Sequence, residues 1–100
     1  MIVNVFISQP MNGKSDYEIA YDRGRIIKFL KSKITDADIR ILDSIVDEEL
    51  GHPLRYLGRS IEIMAYADIV IMAKGWQKAR GCVVEHEVAK QYNICIIEEV

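Results

Sequence analysis

Four short apolar runs, separated by three stretches each long enough to cross a sheet, constrain this chain more than any other feature of its sequence. The runs are IVNVFI (2 to 7), a short one around Ile39 to Leu42, DIVIMA (68 to 73) and ICII (94 to 97). Antiparallel neighbours can be joined by a tight turn, whereas parallel ones need a crossover of a dozen residues or more, usually a helix. The crossovers here have helical patterning. After the turn-rich QPMNGKS, Ser15 opens SDYE, a capping box with Glu18 three residues on, and Ile19, Ile26, Ile27, Leu30 and Ile34 form the stripe that follows. The acidic DSIVDEELGHP reads as a loop with room for one helical turn. Pro53 suits the first turn of a second helix, whose stripe is Leu54, Leu57, Ile61, Met64 and Ala65 and which runs to about Ala67. KGWQKAR is a loop before a third helix over GCVVEHEVAKQY (81 to 92). The expected fold is α/β: a doubly wound parallel sheet of about four strands with helices on both faces, a flavodoxin-like three-layer sandwich. Residues 1–100 form a single domain in this reading, with no internal repeat or linker.

Composition narrows the function classes. A net charge of −2 argues against a binder of nucleic-acid backbones, which shows a basic excess. No apolar run reaches the length of a membrane span, and MIVNVFISQP lacks the charged start and long apolar core of a signal peptide, so the expected location is cytoplasmic. The two cysteines, Cys82 and Cys95, form no CxxC pair and lie in apolar runs, which predicts packing as small hydrophobes.

In such sheets ligands bind beyond the carboxyl ends of the strands, where connections diverge to opposite faces. Those ends deliver SQPMNGKS, the acidic loop and KGWQKARG. Glu85 lies in the first turns of the helix after KGWQKARG. On a helical wheel Gly81, Cys82, Val84, Val88, Ala89 and Tyr92 share one apolar arc, and Glu85 falls inside it between Tyr92 and Ala89. Two readings are open at this point. Glu85 escapes at the rim of the sheet, welcome near a helix start because of the dipole, or it is a partly desolvated carboxylate poised as nucleophile or base.

Three blocks taken in order, VFISQPMNG, YADIVIMAKGW and ARGCVVEHEVA, resemble the nucleoside 2-deoxyribosyltransferase superfamily, and within it the short DUF4406-type branch. The matched features are Ile7, Ser8, Gln9 and Pro10 at the first strand's end, Ala67 and Asp68 before the third strand, and Gly81 four residues before Glu85. The resemblance implies that Glu85 attacks the anomeric carbon of a deoxynucleoside or deoxynucleotide, as the carboxylate of a retaining glycosidase does. Transfer to a second base or hydrolysis would follow. It also implies a pocket bordered by Ser8, Gln9, Pro10, Asn12 and Ser15, with Trp76, Arg80 and Gly81 on the other side, and a homo-oligomer with sites near subunit interfaces. Phe6, Gln9, Ser60 and Ala79 depart from the family pattern, standing where tyrosine, glycine and two aspartates are found, so the resemblance supplies no general acid. Arg80 would favour an anionic ligand.

The expected partner is a small-molecule nucleoside or nucleotide, with no nucleic-acid polymer, membrane, cofactor or metal. A non-catalytic nucleotide-binding or sensing module on the same fold is the alternative. Trp76 would stack on a base or anchor its loop. Cys82 and His86 have the i, i+4 spacing of a metal pair but lack further ligands. Asp68 would bond a loop or helix end as readily as a ligand. The DEEL run reads as a solvated loop, and Lys14 as a surface charge.

Overall fold

The computed structural model describes residues 1–43 and 49–100. Its elements follow the expected order: β1 (Ile2–Ser8), α1 (Asp16–Lys33), β2 (Asp38–Ile41), α2 (Pro53–Met64), β3 (Ile69–Met72), α3 (Arg80–Gln91) and β4 (Cys95–Glu98), with one turn of 3-10 helix (Trp76–Lys78) before α3. The strands lie in the order β2-β1-β3-β4, and every pairing is parallel. Because side chains alternate along a strand, β1 sends Val5 and Ile7 to one face and Phe6 to the other. Val5, Ile7, Ile71 and Ala73 pack on Ile26 and Leu30 of α1. Phe6, Val70 and Met72 pack on Met64 of α2 and on Cys82 and Ala89 of α3. The α/β sheet is therefore doubly wound, with one helix on the first face and two on the second.

Ser15 caps α1 as its sequence requires. Its Oγ accepts the Glu18 N–H at 3.2 Å, and Glu18 Oε1 accepts the Ser15 N–H at 3.2 Å. Two arginines then tie the helix to opposite edges of the sheet. Arg23 Nη2 donates to the Leu42 carbonyl just beyond β2 (3.3 Å), while Arg25 Nε and Nη2 grip both oxygens of Glu99 just beyond β4 (2.7 and 3.0 Å). Asp22 braces Arg25 from within α1 (2.7 Å) and also takes Lys14 Nζ (2.6 Å). Asp68 serves the far end of the sheet, where its Oδ2 accepts the Asn4 N–H at 2.8 Å. Among the described residues, no helix is long and apolar enough to cross a membrane.

Several expectations need correction. α2 ends at Met64 and not near Ala67, and two members of its expected stripe are exposed: Leu54 in its first turn and Ala65, which caps its end. Tyr92 is 78% exposed, since it caps α3 beyond the last residue that packs on the sheet. Cys95 is also exposed, as the first residue of the edge strand β4. β2 starts one residue earlier than expected, at Asp38. Residues 44–48 of the acidic loop, including the first half of its DEEL run, lie outside the described residues.

Glu99 is buried, which pushes its carboxyl up, but the Arg25 hydrogen bonds and the Lys74 N–H outweigh this and hold it below the usual range. A lowered carboxylate stabilises the fold above its unfolded value, and that contribution is lost as pH falls through the folded value. Arg25→Ala should cost about 2 kcal/mol at pH 7 in urea unfolding, because a buried carboxylate loses its charged partner. The difference from wild type should close as acid protonates Glu99.

Candidate functional site

β1 and β3 are neighbours in the sheet, yet the chain leaves β1 for α1 on one face and leaves β3 for α3 on the other. The crevice between these departing connections is where an open α/β sheet receives ligands. Ser8, the last residue of β1, stands at its floor in register with Met72, the last of β3. By strand alternation Ser8 shares the face of Phe6, the face covered by α2 and α3.

α3 brings Glu85 to that serine. Cys82, Glu85 and Ala89 are its buried residues, and their spacing of three and four places them on one stripe. Glu85 is only 8% exposed, and Ser8 Oγ donates to its Oε1 at 2.6 Å. The escape of Glu85 at the rim of the sheet is thereby ruled out. Burial pushes the Glu85 carboxyl above its ordinary range, and hydrogen bonds from Ser8 and from Ser60 of α2 recover only part of that cost. Cys82 is 3% exposed, and burial pushes its thiol up to about 11, with the Ser8 hydrogen bond pulling down and the Glu85 charge pushing up. It is therefore a neutral thiol near pH 7 and no nucleophile.

The other candidate residues divide by what their side chains already hold. Gln9 is buried and spent on structure: its Nε2 donates to the Ile19 carbonyl (3.2 Å) and its Oε1 accepts from Arg23 (3.1 Å), fixing α1 to the end of β1. Ser15 uses its hydroxyl in the helix cap. Asn12 is exposed in the turn before Gly13, and Pro10 is half-buried beside it. Trp76 stacks on His86 with ring centres 4.3 Å apart and planes 14° from parallel, and its Nε1 donates to Glu98 at 2.9 Å. It anchors its loop to α3 and β4. Arg80 is exposed and Gly81 half-buried in the first turn of α3, whose N-terminus has no side-chain cap. Among the described residues no group of three or more His, Cys, Asp or Glu side chains suits a metal ion. Hollows of about 270 and 480 Å³ run along α1, the larger lined by Met11, Ile19, Arg23 and Ile27 among others, and Glu85 lines neither.

Ser60 is the residue that pattern reading placed outside the site. A lone serine in a helix carries no periodic signal, and its relation to Glu85 depends on how α2 and α3 pack side by side. Its only trace in the sequence is that it stands where the resembled family has an acidic residue.

The family model of DUF4406, a domain of unknown function, matches residues 3–98. No curated protein matches the chain. Among solved structures, the chain is similar to a conserved protein from Enterococcus faecalis V583, with 12% identity and a TM-score of 0.67. The match covers 98% of this chain and 63% of that one, so this chain spans less than two thirds of that protein's length. At that identity the likeness speaks for the fold alone, and it agrees with the sheet described above.

A carboxyl whose folded pKa is raised binds its proton more tightly in the native state, so the stability it contributes is full below the unfolded value and is lost as pH rises through the folded value. Glu85→Gln removes that penalty while keeping the shape. The variant should unfold roughly 1 kcal/mol harder than wild type at pH 7, and the two should converge near pH 4 when followed by chemical denaturation.

Proposed function

This chain belongs to the DUF4406 family, and from that premise we propose that its crevice cleaves the N-glycosidic bond of a deoxynucleoside or deoxynucleotide, by transfer or hydrolysis, with Glu85 as the catalytic nucleophile. The observation that carries the reading is the buried Glu85 carboxylate, hydrogen-bonded by Ser8 at 2.6 Å where the connections from β1 and β3 part. A structural carboxylate at such burial is ordinarily matched by a cation, and this one is matched by hydroxyls. The order of VFISQPMNG, YADIVIMAKGW and ARGCVVEHEVA, resembling the nucleoside 2-deoxyribosyltransferase superfamily, supports the same assignment.

In this mechanism a Glu85 oxygen attacks the anomeric carbon as the bond from that carbon to the base nitrogen breaks. The bonding pair leaves with the base, which takes a proton. The resulting glycosyl ester is attacked by water or by a second base, which gives up a proton, and the carboxylate is regenerated. Only ionised Glu85 can act, so the rate should rise with pH through its raised pKa. Arg80 and the uncapped start of α3 flank the crevice and favour an anionic substrate. The working form in this proposal is a cytoplasmic homo-oligomer.

A second reading, a nucleotide-binding or sensing module, is favoured by one feature: the partners of Glu85 among the described residues are hydroxyls and a neutral thiol, none of them an acid for a departing base. Incubation with a panel of deoxynucleosides and their monophosphates, with free base measured by chromatography, separates the two. Base release that falls roughly 10³-fold or more in Glu85→Ala is the expected result. Release that survives the substitution removes Glu85 from the role. Thermal stabilisation by a nucleotide without any release identifies the binding module.

A further inference from the structure

We propose that the outer face of α1 is the contact through which two copies of this chain pair, with the two helices antiparallel and crossing at Gly24. This names the subunit contact of the homo-oligomer proposed above. It is independent of the role of Glu85, which lies on the opposite face of the sheet.

Helical period sorts α1 into two sides. Ile26 and Leu30 are buried against the sheet, and the opposite line runs through Tyr17, Ala20, Tyr21, Gly24, Lys28 and Lys31, all exposed. The solvent side of a surface helix is ordinarily charged or polar. The first half of this one is aromatic and small: Tyr17 is 79% exposed and Tyr21 65%, with Ala20 and Gly24 beside them. Single exposed tyrosines need no explanation, but a contiguous patch on one helix face marks a place where something docks.

Gly24 lies at the middle of the helix. Glycine in a helix interior is destabilising relative to alanine. A Cβ built at Gly24 would meet nothing within 4 Å, so no contact inside this chain calls for a glycine there. The missing side chain has a use where a second helix comes close, because the spacing of two crossing helices is set by the side chains at the contact.

The charges select the occupant. α1 is acidic in its first turn, with Asp16 and Glu18, and basic in its last, with Lys31 and Lys33. A parallel copy would set Lys28 and Lys31 against their own equivalents. An antiparallel copy, related by a two-fold axis through Gly24, sets Tyr17 against the second copy's Lys31 and Tyr21 against its Lys28. Both are cation–π pairings, and the symmetry repeats each of them. Asp16 then comes beside the same Lys31, and Ala20 beside the second copy's half-buried Ile27. The four tyrosines of such a pair, at roughly 150 Å² each, supply about half of the roughly 1,200 Å² at which specific interfaces begin. The lysine stems, Ala20 and Ile27 contribute the remainder.

Sedimentation equilibrium of the whole chain tests this. Wild type should reach twice its 11.5 kDa at high micromolar concentration. Gly24→Arg, and Tyr17→Ala combined with Tyr21→Ala, should each weaken pairing roughly tenfold or more with an unchanged circular dichroism spectrum. These positions are exposed, so neither variant opens the core. Axes roughly 8–10 Å apart, with Cα atoms about 2.3 Å from each axis, bring the two copies of residue 24 within disulfide reach. In a Cys95→Ser background, Gly24→Cys should therefore cross-link under mild oxidation, whereas Tyr92→Cys, exposed at the end of α3, should not. A wild type that stays monomeric, a dimer that withstands Gly24→Arg, or a cross-link at residue 92 and none at residue 24 overturns the inference. Base release measured on the same samples keeps the two proposals apart. Pairing lost in Gly24→Arg upholds the contact whether or not base is released, and base release by a monomeric wild type removes the contact alone.

Discussion

The central pairing of β1 with β3, with their outgoing connections on opposite faces, is the constraint on which the rest of this structure depends. Crossovers between parallel strands are right-handed, so a chain that steps from β1 outward to β2 and then back across β1 to β3 must change faces. That change opens the crevice at the carboxyl ends of the two central strands. It also leaves α1 alone on its face, and a single helix over four strands needs lateral support. Arg23 and Arg25 supply it, reaching Leu42 beyond one edge strand and Glu99 beyond the other. Gln9 then fixes the chain leaving β1 to the same helix, so the floor of the crevice inherits the helix's position.

Two buried glutamates lie at the carboxyl end of this sheet, one on each face, and their contrast is informative. Each is 8% exposed. Glu99 meets the Arg25 guanidinium and is held below its usual range, whereas Glu85 meets hydroxyls and is left above it. The first arrangement is what a carboxylate needs to serve as a fastener. The second leaves a carboxylate whose charge is incompletely compensated, a state that costs stability and is of use only if something else completes it.

What the sequence made legible follows the range of the forces involved. Ser15 and Glu18 announce a helix start through contacts three residues apart, and Ile26 and Leu30 announce its buried side through helical period. The same local signal put Glu85 on the apolar side of α3, and it is buried there. Periodicity failed at the ends of elements: Leu54, Ala65, Tyr92 and Cys95 keep the pattern but are exposed, Leu54 and Cys95 at the start of theirs and Ala65 and Tyr92 as caps. It was silent where meaning comes from pairing across the fold. Gln9 looked like a pocket residue and is a brace. Ser60 looked like a missing acid and is a partner of Glu85. These roles depend on distances between elements that neighbouring residues do not encode.

The stack of Trp76 on His86, with the indole N–H on Glu98, has a consequence for how the molecule can be observed. Trp76 is the only tryptophan in the chain. Its emission therefore comes from one place, the seam where the residue following Glu85 meets the last strand. An imidazole in contact with the ring and a carboxylate at the N–H make that emission sensitive to small rotations of α3. The protein thus carries a native optical gauge on the helix that bears its buried glutamate, and no label has to be introduced to read it.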